Sequence, residues 1–182
     1  MVKAHLSTLM VTLMLGCGIA QAELTSLPER DGPPVKTTSG VPHKPFISER
    51  VPEVHQELMR RVALLPKLDI RPTVISLPGA TGFWLKDDLS LKRPDVIVGG
   101  REFAHVHPDG SLHASLPPKR AFEAVDAGWA DRHPWADQRE GWEGFVLLFS
   151  PRTMEELDVI FGLVVDGYNF VTGAELNAED FR

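Results

Sequence analysis

Cysteine is almost absent from these 182 residues: there is one, Cys17. A lone thiol excludes a disulfide framework and a cysteine-ligated metal site. Positive charge is also in deficit, with 19 Lys and Arg against 25 Asp and Glu and a net charge of -6, so neither nucleic acid nor an anionic membrane surface is an expected partner. There is no internal repeat, which sets aside solenoid architectures. Gly79-Ala80-Thr81-Gly82 lacks the Lys-Ser/Thr ending of a phosphate loop, and Ser76 and Ser150 sit in no nucleophile elbow. What remains, at 43% hydrophobic and 24% charged, is the composition of one ordinary globular domain.

The N-terminus reads as a processing signal. Lys3 precedes an apolar run from Leu6 to Ile19, and Ala20-Gln21-Ala22 supplies the small residues a signal peptidase requires. The run is too short and too early for a comfortable membrane span. Residues 1–22 are therefore expected to be a signal peptide that takes Cys17 with it. The mature protein is then exported, periplasmic or secreted, with no membrane attachment. Lipidation of Cys17 is the alternative. Residues 23–52 carry Pro28, Pro33, Pro34, Pro42, Pro45 and Pro52 among few large apolar side chains, the composition of a flexible extended arm. Residues 53–182 are the expected folded domain.

Within that domain Val54, Leu58, Arg61, Val62 and Leu65 recur at helical spacing before Pro66. Short β-favouring runs follow at 73–77 and 83–85. A second helix is expected over 119–127, between Pro117-Pro118 and Gly128. A buried strand is expected over 144–149. Thr153-Met154-Glu155-Glu156 has the spacing of a capping box, opening a last helix that runs to Val165.

The stretch 95–116 carries the most chemistry. Gly99-Gly100 suits a two-residue hairpin turn that pairs Val98 with Arg101, and Pro108-Asp109-Gly110 suits a three-residue loop that pairs His107 with Ser111. Counting from the second turn sets His105 opposite His113. Alternation then shows Arg101, Phe103, His105, His107, Ser111, His113 and Ser115 on one face, expected to be open to solvent. Ile97, Ala104, Val106, Leu112, Ala114 and Leu116 share the other, core face with Glu102 as its one charged member. The expected fold is a single compact α+β domain, an antiparallel sheet with helices packed on one face.

Arg101-Glu-Phe-Ala-His-Val-His107, Ser-Leu-His-Ala-Ser-Leu116, Ala127-Gly-Trp-Ala-Asp-Arg-His-Pro134, Ser150-Pro-Arg-Thr-Met-Glu-Glu-Leu157 and Gly167-Tyr168 follow one another in order. Together they resemble the fungal luciferase-like family, the luciferase domain of luminous mushrooms and of many non-luminous bacterial proteins. The chain is similar to a secreted bacterial member. The resemblance implies a cofactor-independent oxygenase that joins O2 to a hydroxy-pyrone or similar small enolisable aromatic. Carried over position by position, it implies catalytic roles for His105, His107, His113, Arg101 and Glu102. It implies substrate contacts for Trp129, Arg132, His133 and Tyr168. The turn after His107 is shorter here than in the fungal enzymes.

Such chemistry needs a base, since an enol must ionise before its carbon can give an electron to O2, and an imidazole is suited to that task. Arg101 or Arg132 would steady the anion, and Trp135, Trp142, Trp129 or Tyr168 would stack a flat ring. Two other readings stay open. His105, His107 and His113 suit a divalent metal centre with one open position. A periplasmic module that binds a small molecule without turnover would use the same cleft. Oligomeric state is not indicated.

The leader gives the first prediction. N-terminal sequencing of exported protein should begin at Glu23; an intact Met1, or lipid on Cys17, would refute the assignment.

Overall fold

The computed structural model of the chain describes residues 26–182, so the expected leader and Cys17 lie outside the described residues. The first helix, α1 (Pro52–Ala63), buries Val54, Leu58 and Val62 at the spacing read from the sequence. Then come β1 (Leu68–Pro72), β2 (Thr81–Leu85), β3 (Glu102–Val106), β4 (Leu112–Ser115), α2 (Pro118–Asp126), β5 (Ala130–Arg132), β6 (Phe145–Leu148) and α3 (Met154–Thr172). The six strands form one antiparallel sheet in the order β1-β2-β3-β4-β6-β5. The helices cover one face, where Phe83, Leu112, Leu148, Ile160 and Val164 are wholly buried. Each such side chain contributes about 1.5–3 kcal/mol through removal from water. The fold is thus the expected α+β domain. Among the described residues no helix is long and apolar enough to cross a membrane.

Several local expectations are corrected. Residues 73–77 are a loop; the strand lies one step earlier, in β1, and pairs with β2 from Leu68 opposite Leu85 to Pro72 opposite Thr81. Residues 95–98 form no strand, only a 3-10 turn at Pro94–Val96, and β3 takes β2 as its neighbour instead. At the glycine pair the bridge joins Gly99 to Glu102, not Val98 to Arg101, and only Gly100 has a positive φ, +58°. The last helix passes Val165 and stops at Gly173, whose φ of +78° is the left-handed conformation that glycine adopts freely. Half of the capping box is present. Thr153 Oγ1 accepts the Glu156 N–H, while the Glu156 carboxylate accepts the Arg152 N–H instead of reaching Thr153.

The Pro-Asp-Gly loop follows expectation. His107 N–H donates to Ser111 O at 2.8 Å, Gly110 has a φ of +87°, and His105 pairs with His113. One irregularity alters the faces of β3. The ladder steps from Phe83 opposite Ala104 to Trp84 opposite Glu102, so Phe103 bulges without a partner. The alternation slips by one residue. Phe103 turns to the core, 6.3 Å from the Phe83 ring and 5.8 Å from the Tyr168 ring, and Glu102 turns to the histidine face.

That face is not open to solvent as expected. Residues 26–51 contain no helix and no strand beyond a Thr37–Pro45 bridge, yet they are fastened across it. Trp129 Nε1 donates to Pro28 O at 2.6 Å, Arg30 N–H to Ala127 O at 2.9 Å, and Ser48 Oγ to Asp109 O at 3.2 Å. The arm, the 73–77 loop and the segment after β5 together roof the sheet.

Two glycines test this packing. At Gly144 a Cβ would overlap the carbonyl oxygen of Leu116, whereas at Gly162 in α3 nothing lies within 4 Å. Gly144→Ala should cost about 2–4 kcal/mol and Gly162→Ala should add about 0.5–1 kcal/mol, measured by urea denaturation. Equal effects would contradict the placement of β6 against β4.

Candidate active site

Five imidazoles meet under the roof. His105 and His107 come from β3 and its turn, His113 from β4, His133 from just after β5, and His43 from the arm; each is 5% exposed or less. Ring centroids stand 4.8–5.5 Å apart from neighbour to neighbour. All five line a cavity of about 220 Å³, which Val98, Ile75, Leu77, Trp135 and Phe145 help to complete.

A row of contacts runs through the cluster between two carboxylates. Glu102 Oε1 lies 3.0 Å from His105 Nδ1, His105 Nε2 lies 3.1 Å from His113 Nδ1, His113 Nε2 lies 3.3 Å from His43 Nδ1, and His43 Nε2 lies 3.4 Å from Asp131 Oδ2. The partners of each end fix the direction of the hydrogens. Glu102 also accepts the Thr73 hydroxyl at 2.6 Å and the Val74 N–H at 3.1 Å, and Asp131 accepts the Thr37 hydroxyl. Both carboxylates are therefore acceptors, which sets a hydrogen on His105 Nδ1 and another on His43 Nε2. Opposite His105, Gly82 leaves the space that Glu102 fills; a Cβ there would stand 2.9 Å from the Glu102 carboxyl carbon.

The two remaining rings are oriented separately. Ser111 Oγ donates to Asp109 Oδ1 at 2.7 Å, so it can only accept from His107 Nδ1 at 3.0 Å, and His107 Nε2 is left bare. Trp135 N–H donates to His133 Nδ1 at 3.0 Å, so neutral His133 carries its hydrogen on Nε2. Burial holds His133 down at about 3 and His107 at about 4, with repulsion from neighbouring imidazoles second in each case. Burial pushes His113 well below the usual imidazole value, helped by His105 and His107. His43 is lowered by burial, against the opposing pull of Asp131. These rings are held neutral.

Not every residue expected in the site is there. Arg101 is directed away from it: its guanidinium donates to the carbonyls of Leu85 at 2.9 Å, Lys86 at 2.7 Å and Leu89 at 2.5 Å, stapling the loop after β2. Arg132 pairs with Asp137 at 2.7 Å over the ring of Phe122. Trp129 lies under Arg30 with its indole N–H on Pro28, and Tyr168 is in the helix-side core with its hydroxyl on Pro66 O at 2.8 Å. Trp142 donates to Asp95 O at 3.0 Å away from the cavity wall. His105, His107, His113, His133 and Glu102 are brought together. His43 and Asp131 are additions that the sequence reading lacked, and nothing local in the proline-rich arm marks His43. Two trios, His105 with His107 and His113, and His43 with His113 and His133, each offer ring nitrogens within 4.8 Å of one another, a spacing that suits a metal ion.

Residues 100–165 match the family model described as Luciferase domain. No curated protein and no solved structure gives a match. The matched stretch supplies Glu102 and four of the five imidazoles, whereas His43 and Thr37 come from the arm outside it.

The neutral rings predict a pH dependence for chelator-treated protein. On unfolding, His107 and His133 return toward 6.5 from about 4 and about 3. Above 6.5 both states are neutral and stability is complete. Below it the unfolded chain takes up protons that the folded chain refuses, so the urea midpoint should fall steadily from pH 6.5 to 4. His133→Gln should flatten part of that slope; a midpoint unchanged over this range would contradict the burial of neutral imidazoles.

Proposed function

We propose that the luciferase-domain stretch and its arm form an oxygenase pocket for a small planar compound bearing an enol or phenol hydroxyl. The observation that carries this reading is the pairing of an imidazole floor with flat apolar walls in one enclosed space. His133 and Phe145 stand 4.2 Å apart, Trp135 closes beside them at 5.1 Å, and the roughly single-ring volume of about 220 Å³ limits the guest to a monocyclic compound.

The chemistry follows from where hydrogens and lone pairs point. The substrate hydroxyl loses its proton to an imidazole of the floor. That leaves an enolate. Its carbanion-like carbon gives one electron to O2, and the two radicals join in a C–O bond. The resulting peroxide anion recovers the proton lost at the start, so substrate and O2 combine into a hydroperoxide with nothing left over. His133 Nε2–H, fixed by Trp135, is the donor available to the peroxide as charge appears on it. O2 is the oxidant and the substrate the reductant, so no organic cofactor enters. In this reading the leader places the reaction outside the cytoplasm.

Oxygen uptake against a panel of hydroxy-pyrones, catechols and related enols tests it. Wild type should consume O2 with at least one of them, and His133→Gln should lower kcat by roughly 10²-fold with binding little changed. Tight binding of a panel member without any O2 uptake would replace the oxygenase with a small-molecule-binding module.

A further inference from the structure

The row from Glu102 to Asp131 is one hydrogen short. Its four contacts each need one, and three imidazoles with one hydrogen apiece supply three. Because both carboxylates accept, the shortfall falls inside the row. With His113 donating from Nε2 to His43, the bare nitrogens of His105 and His113 face each other at 3.1 Å. Two lone pairs so close, out of water, repel unless a cation lies between them.

His107, whose Nδ1 is spent on Ser111, completes a trio whose ring nitrogens lie within 4.8 Å of one another. We infer that His105 Nε2, His107 Nε2 and His113 Nδ1 bind a divalent first-row transition-metal ion, with the pocket at its open position. The 3.1 Å separation is close to the edge of about 3.3 Å that two nitrogens span when each lies about 2.0–2.1 Å from a tetrahedral ion. Imidazole ligands suit zinc, iron, copper or nickel over calcium or magnesium. The support behind each ligand is also complete: Glu102 holds His105, Ser111 backed by Asp109 holds His107, and His43 backed by Asp131 holds His113. Metal-bound imidazoles are oriented in this way, through the nitrogen that does not touch the ion.

The other trio fails on the same accounting. If His113 is turned to donate toward His105, only its own Nε2 and His43 Nδ1 are bare, because the Trp135 N–H leaves His133 with a hydrogen on Nε2. Two nitrogens and a donor do not ligate. The inference rests on hydrogen-bond directions and stands apart from the oxygenase reading. With the ion seated, the enolate oxygen has a Lewis acid to bind.

The test is a Co(II) titration of the chelator-stripped full chain, followed by the visible absorption of the ion and checked by elemental analysis with Zn(II). One ion per chain is expected, with the intense bands of a low-coordinate nitrogen site. His107→Ala should weaken binding at least about 100-fold, Glu102→Gln about 10–100-fold, and His133→Ala by no more than about threefold. Circular dichroism confirms that each variant is folded. An unoccupied wild type at one equivalent overturns the site and leaves a shared proton in the gap. Loss of binding in His133→Ala with retention in His107→Ala overturns the choice of trio. O2 uptake by stripped and loaded protein is read separately: an ion bound without turnover counts against the oxygenase alone, and turnover by stripped protein that takes up no ion counts against the metal site alone.

Discussion

Five imidazoles withdrawn from water can share one space only if the ring nitrogens turned away from the cavity have a partner for their hydrogen or their lone pair. Much of the molecule serves that condition. The 73–77 loop supplies a hydroxyl and an amide to Glu102, the Pro-Asp-Gly turn supplies Ser111 and Asp109 to His107, and the turn after β5 supplies the Trp135 amide to His133. Each is an ordinary local device. Their convergence on one cluster gives the sheet a second, polar core opposite the apolar one under the helices. The helix-side core can be assembled from volume and hydrophobicity, which tolerate exchange among similar side chains. The histidine side depends on direction, and a single misplaced donor leaves a buried group unsatisfied.

The histidine register was legible in the sequence because a proline, an aspartate and a glycine in succession specify one turn, and that turn alone sets His105 opposite His113. The helices were legible from periodicity, and α3 was read too short only because its polar final turns break the apolar run. The failures have two physical sources. A bulge is invisible to a strict alternation of two, which exchanges the faces of Glu102 and Phe103 and sets Arg101 beside Phe103 on the histidine face. Composition describes what a segment lacks in its own right, not what a neighbouring surface offers it. The arm has little to bury by itself, yet it finds the indole of Trp129, the rim at Asp109 and the row at His113. The local pattern of residues 73–77 likewise favours a strand, but Glu102 draws their polar groups into a loop.

Trp129 and Tyr168 show why a family resemblance locates residues better than it assigns them. Both are deeply buried and lie in or beside the matched stretch, and both spend their polar atoms on backbone carbonyls far along the chain. They hold the arm and the segment before β1 in place. A substitution at either would reach the pocket only through the backbone it anchors, whereas His133 and Phe145 line the cavity themselves.

The arm also separates two events in the life of the chain. Contacts from His43 span 70 residues to His113 and 88 to Asp131, while the sheet beneath is stitched largely from neighbouring hairpins. Closing such a long loop is entropically slower than zipping strands that follow one another. Loop entropy therefore favours the helix-backed sheet closing ahead of its roof, and until the arm lies down the imidazole face is wet. The row between Glu102 and Asp131 comes into being only when the arm lies down, because His43 is its one link from His113 to Asp131.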